Sequence, residues 1–395
     1  MKRNRKLHIW PEPLRVENNT IIARATIEAP DFGRKSLWYR LPVEYRYDIN
    51  QGSNDPYLLA MVFPAMRHNN DIHVHGEVSP SLLNNLQEFR SIWNLWYPEL
   101  YAAIDIQAEV ENEHHKAKTS AVLAAFSGGV DSSFMVWRHK TGGYSKNRRD
   151  IQAGVMFHGF EIPLDRKEDF KRAAMKAEKL LNSPGLGIPL ITISSNIAIF
   201  WKDWQDLSLG FMASVVSGMN LLKNGYSEGI IANSLAYKNL SFPTPSSILT
   251  DVLLSSDSFR IIHDGGALSR NDKIRELANW PDALRYLRVC TSGADFYRNC
   301  GKCEKCVRTI LNFRAAGVQL PPCFDQDVSN MQIIKIYYPR PQILSFHQDI
   351  VREAALNKIN DPWVRVLQLS ILKNKIGLRA KNIPWVRSLY RSISR

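Results

Sequence analysis

The sequence predicts an α/β protein with a doubly wound parallel sheet, a β-rich unit before it and a helical extension after it. Three observations support this. From about residue 120 to residue 317, short apolar runs alternate with helical patterns, as in parallel strands joined by crossover helices. Before that, β-branched and aromatic runs are broken by Pro, Asn and Gly, the marks of short strands. Beyond residue 320 the pattern is mostly helical. The expected boundaries are therefore 1–115, 116–320 and 321–395. No internal repeat or low-complexity tract interrupts them.

In the first region the strand-like runs are Leu7–Trp10, Leu14–Val16, Ile21–Ile27 and Leu37–Tyr47. Ser79-Pro80 then opens an amphipathic helix through Leu82, Leu83, Leu86, Phe89, Ile92 and Trp93. The charged stretch Glu109–Lys118 has no apolar period and reads as a linker. In the second region, buried strands are expected at Ala121–Phe126, Ala153–Phe157, Leu190–Ile193, Gly229–Ala232 and Phe259–Ile262. Helices are expected between them, for example at Lys167–Leu181 and Leu209–Leu222. In the third region, Pro384 suits the first turn of a last helix. That helix would carry Val386, Leu389, Tyr390 and Ile393 on one face and Arg387, Arg391 and Arg395 on another.

The net charge of +13 is concentrated at the ends. Lys2, Arg3, Arg5 and Lys6 lie at the start. No acidic residue follows Asp361, while Arg365, Lys373, Lys375, Arg379, Lys381, Arg387, Arg391 and Arg395 do. These residues account for twelve of the thirteen charges, so the body is nearly neutral and a long nucleic-acid groove is disfavoured. The two basic ends remain candidate contacts for a partner protein, RNA or acidic lipid. No apolar stretch is long enough for a membrane span, and the basic N-terminus runs into a strand instead of a signal core. Five cysteines, four of them clustered, suit a metal site in a reducing compartment, so a cytoplasmic location is expected.

The most informative stretch is Phe126-Ser127-Gly128-Gly129-Val130-Asp131-Ser132-Ser133, after one expected strand and before a helix. Adjacent glycines let backbone N–H groups approach an anion, and the following helix adds its positive dipole end. Ser127 and Ser132 add hydroxyl donors. Asp131 would repel a bare phosphate, so it is expected to act through Mg²⁺ or as a cap. The string lacks the Walker pattern. It resembles the Ser-Gly-Gly-x-Asp-Ser signature of the PP-loop, or ATP pyrophosphatase, superfamily, whose fold is Rossmann-like. The resemblance implies that ATP is gripped by residues 127–132, Val130 included, and attacked at the α-phosphate.

Cys290, Cys300, Cys303 and Cys306 supply four thiolates at spacings that suit a closed, structural Zn²⁺ site. An iron–sulfur cluster or a redox disulfide are the alternatives. A PP-loop followed by this cysteine pattern resembles the 7-cyano-7-deazaguanine synthase family, over about Ser120–Gly317. That resemblance implies ATP-dependent activation of a deazapurine carboxylate, which ammonia or an amine converts to an amide and then a nitrile. The flanking regions have no counterpart in ordinary synthases, so the small-molecule acceptor is open. An RNA-modifying enzyme and a non-catalytic nucleotide-dependent partner or sensor module are the competing readings.

Several further residues are candidates. His158, at the end of the second expected strand, would donate to a phosphate or shuttle a proton. Arg270 and Lys273, on one helical face, would neutralise an acceptor carboxylate or the leaving pyrophosphate. Asp264 would recognise an acceptor amine, and Asn233-Ser234 would face a cleft. His68, His73 and His75 invite a metal reading, with His73 and His75 on one strand face, but no carboxylate-rich constellation adjoins them in sequence.

Overall fold

The computed structural model describes residues 5–113, 119–142, 147–240, 242–338 and 341–381. It is an α/β structure with one ten-stranded, mostly parallel sheet flanked by helices. The chain forms two compact units. Of the described residues, the first comprises those up to Ser127, Met135–Asn233 and Phe242–Gly265; the second comprises Gly128–Phe134, those from Ser234 to 240 and those from Gly266 on.

The first unit begins with β1 (Lys6–Glu17), β2 (Thr20–Ala29) and β3 (Gly33–Pro42), an antiparallel meander. Asn18 and Asn19 both take positive φ between β1 and β2, which matches the twist of a two-residue hairpin turn. Alternation in β2 buries Ile21, Ala23, Ala25, Ile27 and Ala29. The strand expected as far as Tyr47 ends at Pro42 and gives way to a 3-10 turn at Val43–Asp48. Next come α1 (Asp55–His68), β4 (Asp71–Val78), α2 (Pro80–Trp96) and β5 (Ile106–Glu111). Helix α1 carries no amphipathic signal in the sequence, because Asp55 through Met66 are all buried, leaving no polar face and no 3.6 period. Glu109–Glu111, expected to open a linker, belongs instead to β5, an edge strand with exposed polar positions.

The remaining strands appear where their apolar runs predicted them. They are β6 (Val122–Ala125), β7 (Ile151–His158), β8 (Leu190–Ser195), β9 (Glu228–Ala232) and β10 (Arg260–Asp264). Between them stand α3 (Val130–Thr141), α4 (Lys167–Leu181) and α5 (Trp204–Asn220). The strand order is β10-β9-β6-β7-β8-β3-β2-β1-β4-β5. Strands β6 to β10 are mutually parallel, and from β6 the chain winds first towards β8 and then back towards β10. The order thus reverses beside β6, and in such sheets ligands bind beyond the carboxyl ends of the strands at that reversal.

The N-terminal strands share one sheet with the later ones. Tyr39 and Arg40 of β3 pair with Ser195 and Ser194 of β8, and one apolar core runs from Leu7 to Ile261. A buried ion pair crosses this unit: Lys223 Nζ lies 2.8 Å from Asp55 Oδ2, with Ser79 also donating to Asp55.

The second unit is helical, comprising α6 (Arg270–Ala278), α7 (Pro281–Tyr286), α8 (Glu304–Ala315), α9 (Asn330–Lys335), α10 (Pro341–Leu356) and α11 (Pro362–Lys381). Helix α8 packs on α6 and α10, and α11 packs on α9 and α10. The helices expected beyond residue 320 are present but belong to the same unit as the cysteine cluster. The last helix expected from Pro384 lies outside the described residues. Among the described residues, no helix is long and apolar enough to cross a membrane.

Candidate functional site

The chain leaves β6 through Phe126 and exposed Ser127, then turns at Gly128-Gly129 into α3. Gly128 has φ +72°, a region that a side chain would penalise. Val130 is buried, and the Ser133 N–H donates to the Gly129 carbonyl at 3.0 Å. Ser132 Oγ donates to the same carbonyl at 3.3 Å and is largely covered, so its hydroxyl braces the loop here.

Asp131, in the first turn of α3, is held by two cations from α6. Arg270 Nη1 is 2.8 Å from one of its oxygens and Lys273 Nζ 2.9 Å from the other. Both cationic side chains are at least nine-tenths covered. Burial pushes the Asp131 carboxyl up, but Lys273 and Arg270 outweigh it and hold the group below the usual carboxylate range. Helix α6 starts with a capping box between Ser269 and Asp272, which fixes the turn carrying Arg270 and Lys273. Arg270 Nη2 also donates to Thr309 Oγ1 on α8 at 3.3 Å. Asp131, Arg270 and Lys273 are thus one cluster, with Asp131 engaged by the two cations expected to neutralise an acceptor carboxylate or the leaving pyrophosphate.

The four cysteines come together as their spacing predicted. Their sulfurs all lie within 4.8 Å of one another, with Cys290–Cys303 at 3.8 Å and Cys300–Cys306 at 3.9 Å. A tetrahedral ion with metal–sulfur bonds of about 2.3 Å requires sulfur–sulfur edges of about 3.8 Å. Four thiolates with that geometry can bind a metal such as zinc. The backbone N–H groups of Lys302 and Cys303 point at Cys300 Sγ, at 3.4 and 3.3 Å.

This knuckle is tied to the glycine turn. The Arg288 N–H donates to the Gly128 carbonyl at 2.8 Å, two residues before Cys290. Asn299, which the sequence reading missed, fixes the same segment with a fully used side-chain amide. Its Oδ1 accepts from Val289 N at 2.9 Å and Cys290 N at 3.3 Å, while its Nδ2 donates to Leu287 O at 2.8 Å and Cys323 O at 3.0 Å. Only its position beside Cys300 marked it in the sequence.

The other candidates lie as follows. His158 ends β7, bonds Pro163 O through Nε2 at 3.0 Å and stacks on Phe170 at 4.4 Å; burial pushes its pKa down. Asp264 ends β10 in an ion pair with Arg138 of α3, and His139 Nε2 is 3.5 Å away, so its charge is already met. Asn233 is buried just past β9, where its N–H donates to Asp264 O at 2.7 Å. Asp251 also escaped the sequence reading. Burial pushes its carboxyl up to about 7, against donors from Ser246 and Thr250, and His263 Nε2 is 3.5 Å away. A turn of four residues is too short for a sequence period to mark it.

Fold and site together define an α/β protein with a Rossmann-like strand order, a glycine turn after its pivotal strand and a four-cysteine knuckle that can bind a metal. No protein-family model, curated protein or solved structure matches the chain.

Proposed function

We propose that the chain is an ATP-cleaving enzyme of the PP-loop type, similar in chemistry to the 7-cyano-7-deazaguanine synthases, which transfers AMP to an acceptor carboxylate. The observation that carries this reading is the position of Ser127–Ser132 directly after β6, the strand beside which the sheet order reverses. Loop N–H groups and the first turn of α3 would face the phosphates. Arg270 and Lys273 are the nearby positive charge, and Asp131 positions both of them.

The acceptor carboxylate attacks the α-phosphorus, the bond to the β-phosphate oxygen breaks, and pyrophosphate leaves. Ammonia then attacks the acyl carbon, expelling AMP and losing a proton to give an amide. A further dehydration would be needed for a nitrile. Mg²⁺, when bound with the nucleotide, supplies charge neutralisation for the leaving pyrophosphate. The chain supplies position and electrostatics and needs no nucleophile of its own.

Cys290, Cys300, Cys303 and Cys306 would hold zinc as a structural cross-link, since four sulfurs leave no open position for water. Its use here is to keep Arg288, and through it the Gly128 carbonyl, in place. The test is incubation with ATP labelled at the α-phosphate, a panel of carboxylates that includes a deazapurine carboxylate, and ammonium. Acceptor-dependent release of AMP and pyrophosphate supports the proposal, and nucleotide left intact across the whole panel refutes it.

A further inference from the structure

A second cluster of metal-ligand chemistry stands on the sheet of the first unit, apart from the cysteines. His8 on β1 pairs in parallel register with His73 on β4, and His73 pairs with Gln107 on β5. Two residues on, the same face brings up Trp10, His75 and Glu109. One nitrogen from each of His73 and His75 and a carboxylate oxygen of Glu109 all lie within 4.8 Å of one another. The sequence did not mark this cluster because Glu109 comes from a strand 34 residues later.

The contacts are specific. His75 Nδ1 is 2.7 Å from Glu109 Oε1, and His73 Nε2 is 3.9 Å from the same oxygen. A tetrahedral ion with bonds of about 2.05 Å to nitrogen and oxygen needs ligand–ligand edges of about 3.3 Å, and the two observed separations straddle that value. His75 is also held from behind. Its Nε2 is 2.9 Å from His8 Nδ1, and Trp10 stacks flat on its ring at 4.6 Å and 5°. His73 Nδ1 is buried without a hydrogen-bond partner, so no bond from that nitrogen fixes the ring.

The backbone is adapted here as well. The β4–β5 ladder shifts register between Val74 and Glu77, the kind of irregularity that re-aims side chains beside functional sites. Within it Gly76 allows a close approach, since a Cβ there would come within 2.4 Å of Asn54 Nδ2. His68, grouped with these histidines in the sequence reading, stands elsewhere, beside Asp31 at 3.5 Å.

We propose that His73, His75 and Glu109 form a second metal site, for a divalent cation of the zinc class that accepts imidazole and carboxylate ligands. His75 Nδ1, His73 Nε2 and Glu109 Oε1 are the ligands. Binding displaces the proton that His75 Nδ1 shares with Glu109, and through solvent exchange the bound tautomer carries it on Nε2 instead. His75 Nε2–H then donates to His8 Nδ1, so His8 is the positioning residue that fixes the tautomer. Three protein ligands leave a position open to water, unlike the closed four-cysteine knuckle.

The test uses the full chain with Zn²⁺ as the only probe, and counts bound metal per chain after gel filtration. The wild type should retain a second equivalent beyond the one at the cysteines. Glu109→Gln should lose that second equivalent, with affinity down by more than about 100-fold, and keep the first. His8→Ala should weaken it by about 10–100-fold, as expected for a supporting partner. The Glu109 side chain is half exposed, so Glu109→Gln leaves the fold intact, which circular dichroism verifies. A wild type that saturates at a single equivalent, or a Glu109→Gln chain that keeps both, overturns the proposal. Neither result bears on ATP cleavage.

Discussion

Replacing Asp131 by Asn should cost stability before any substrate is added. The carboxylate is the shared partner of Arg270 at 2.8 Å and Lys273 at 2.9 Å, and those two side chains are 9% and 2% exposed. Removing one partner of a buried ion pair leaves an uncompensated charge and typically costs about 3–5 kcal/mol. Asp131 also favours the positive end of α3, a further contribution of roughly 0.5 kcal/mol. Urea titration followed by tryptophan fluorescence, in the absence of nucleotide, should show a loss of about this size. Asp131→Asn combined with Lys273→Met should recover part of it, because one stranded charge is gone. Pyrophosphate should stabilise Asp131→Asn more than the wild type, by occupying the freed cations. If Asp131 served only as a Mg²⁺ ligand, the metal-free variant would be as stable as the wild type. A loss below about 1 kcal/mol would refute a role for Asp131 in positioning the two cations.

Three further outcomes follow from the geometry. Asn299→Ala would strand four backbone groups beside the knuckle, and chelator competition should show zinc held about 10–100-fold more weakly, as for other supporting partners. Lys223→Met would leave Asp55 buried without its cation, and denaturant titration should show a loss of about 3–5 kcal/mol. Asp251→Asn acts in the opposite direction. The native carboxyl is raised to about 7, so the stability it contributes is full below its unfolded pKa and is lost as pH rises to about 7. The groups facing it are Ser246, Thr250 and His263. The variant should therefore gain in melting temperature relative to wild type at pH 8 and show little gain at pH 4.

What the sequence revealed depended on whether neighbours along the chain carried the signal. Strands β6 to β10 are short apolar runs between helices, and α4 begins and ends where its amphipathic period does. The glycine turn and the cysteine spacing are equally local. Helix α1 was hidden because all its faces are buried, and β5 was hidden because its edge position leaves polar residues exposed. The pairing of β3 with β8 joins residues about 155 positions apart, and nothing in either strand announces it. Asp131 finds Arg270 and Lys273 across some 140 positions, so a role in holding cations could not be read from the loop itself. Glu109 meets His75 in the same way, through sheet order.

The claim on which most of this rests is that residues 127–132 hold ATP so that its chain breaks next to the α-phosphate. The most direct measurement is the product pair from ATP cleaved by the purified chain with a deazapurine carboxylate and ammonium. The account predicts AMP with pyrophosphate, formed only when the carboxylate is present. ADP with orthophosphate would contradict it.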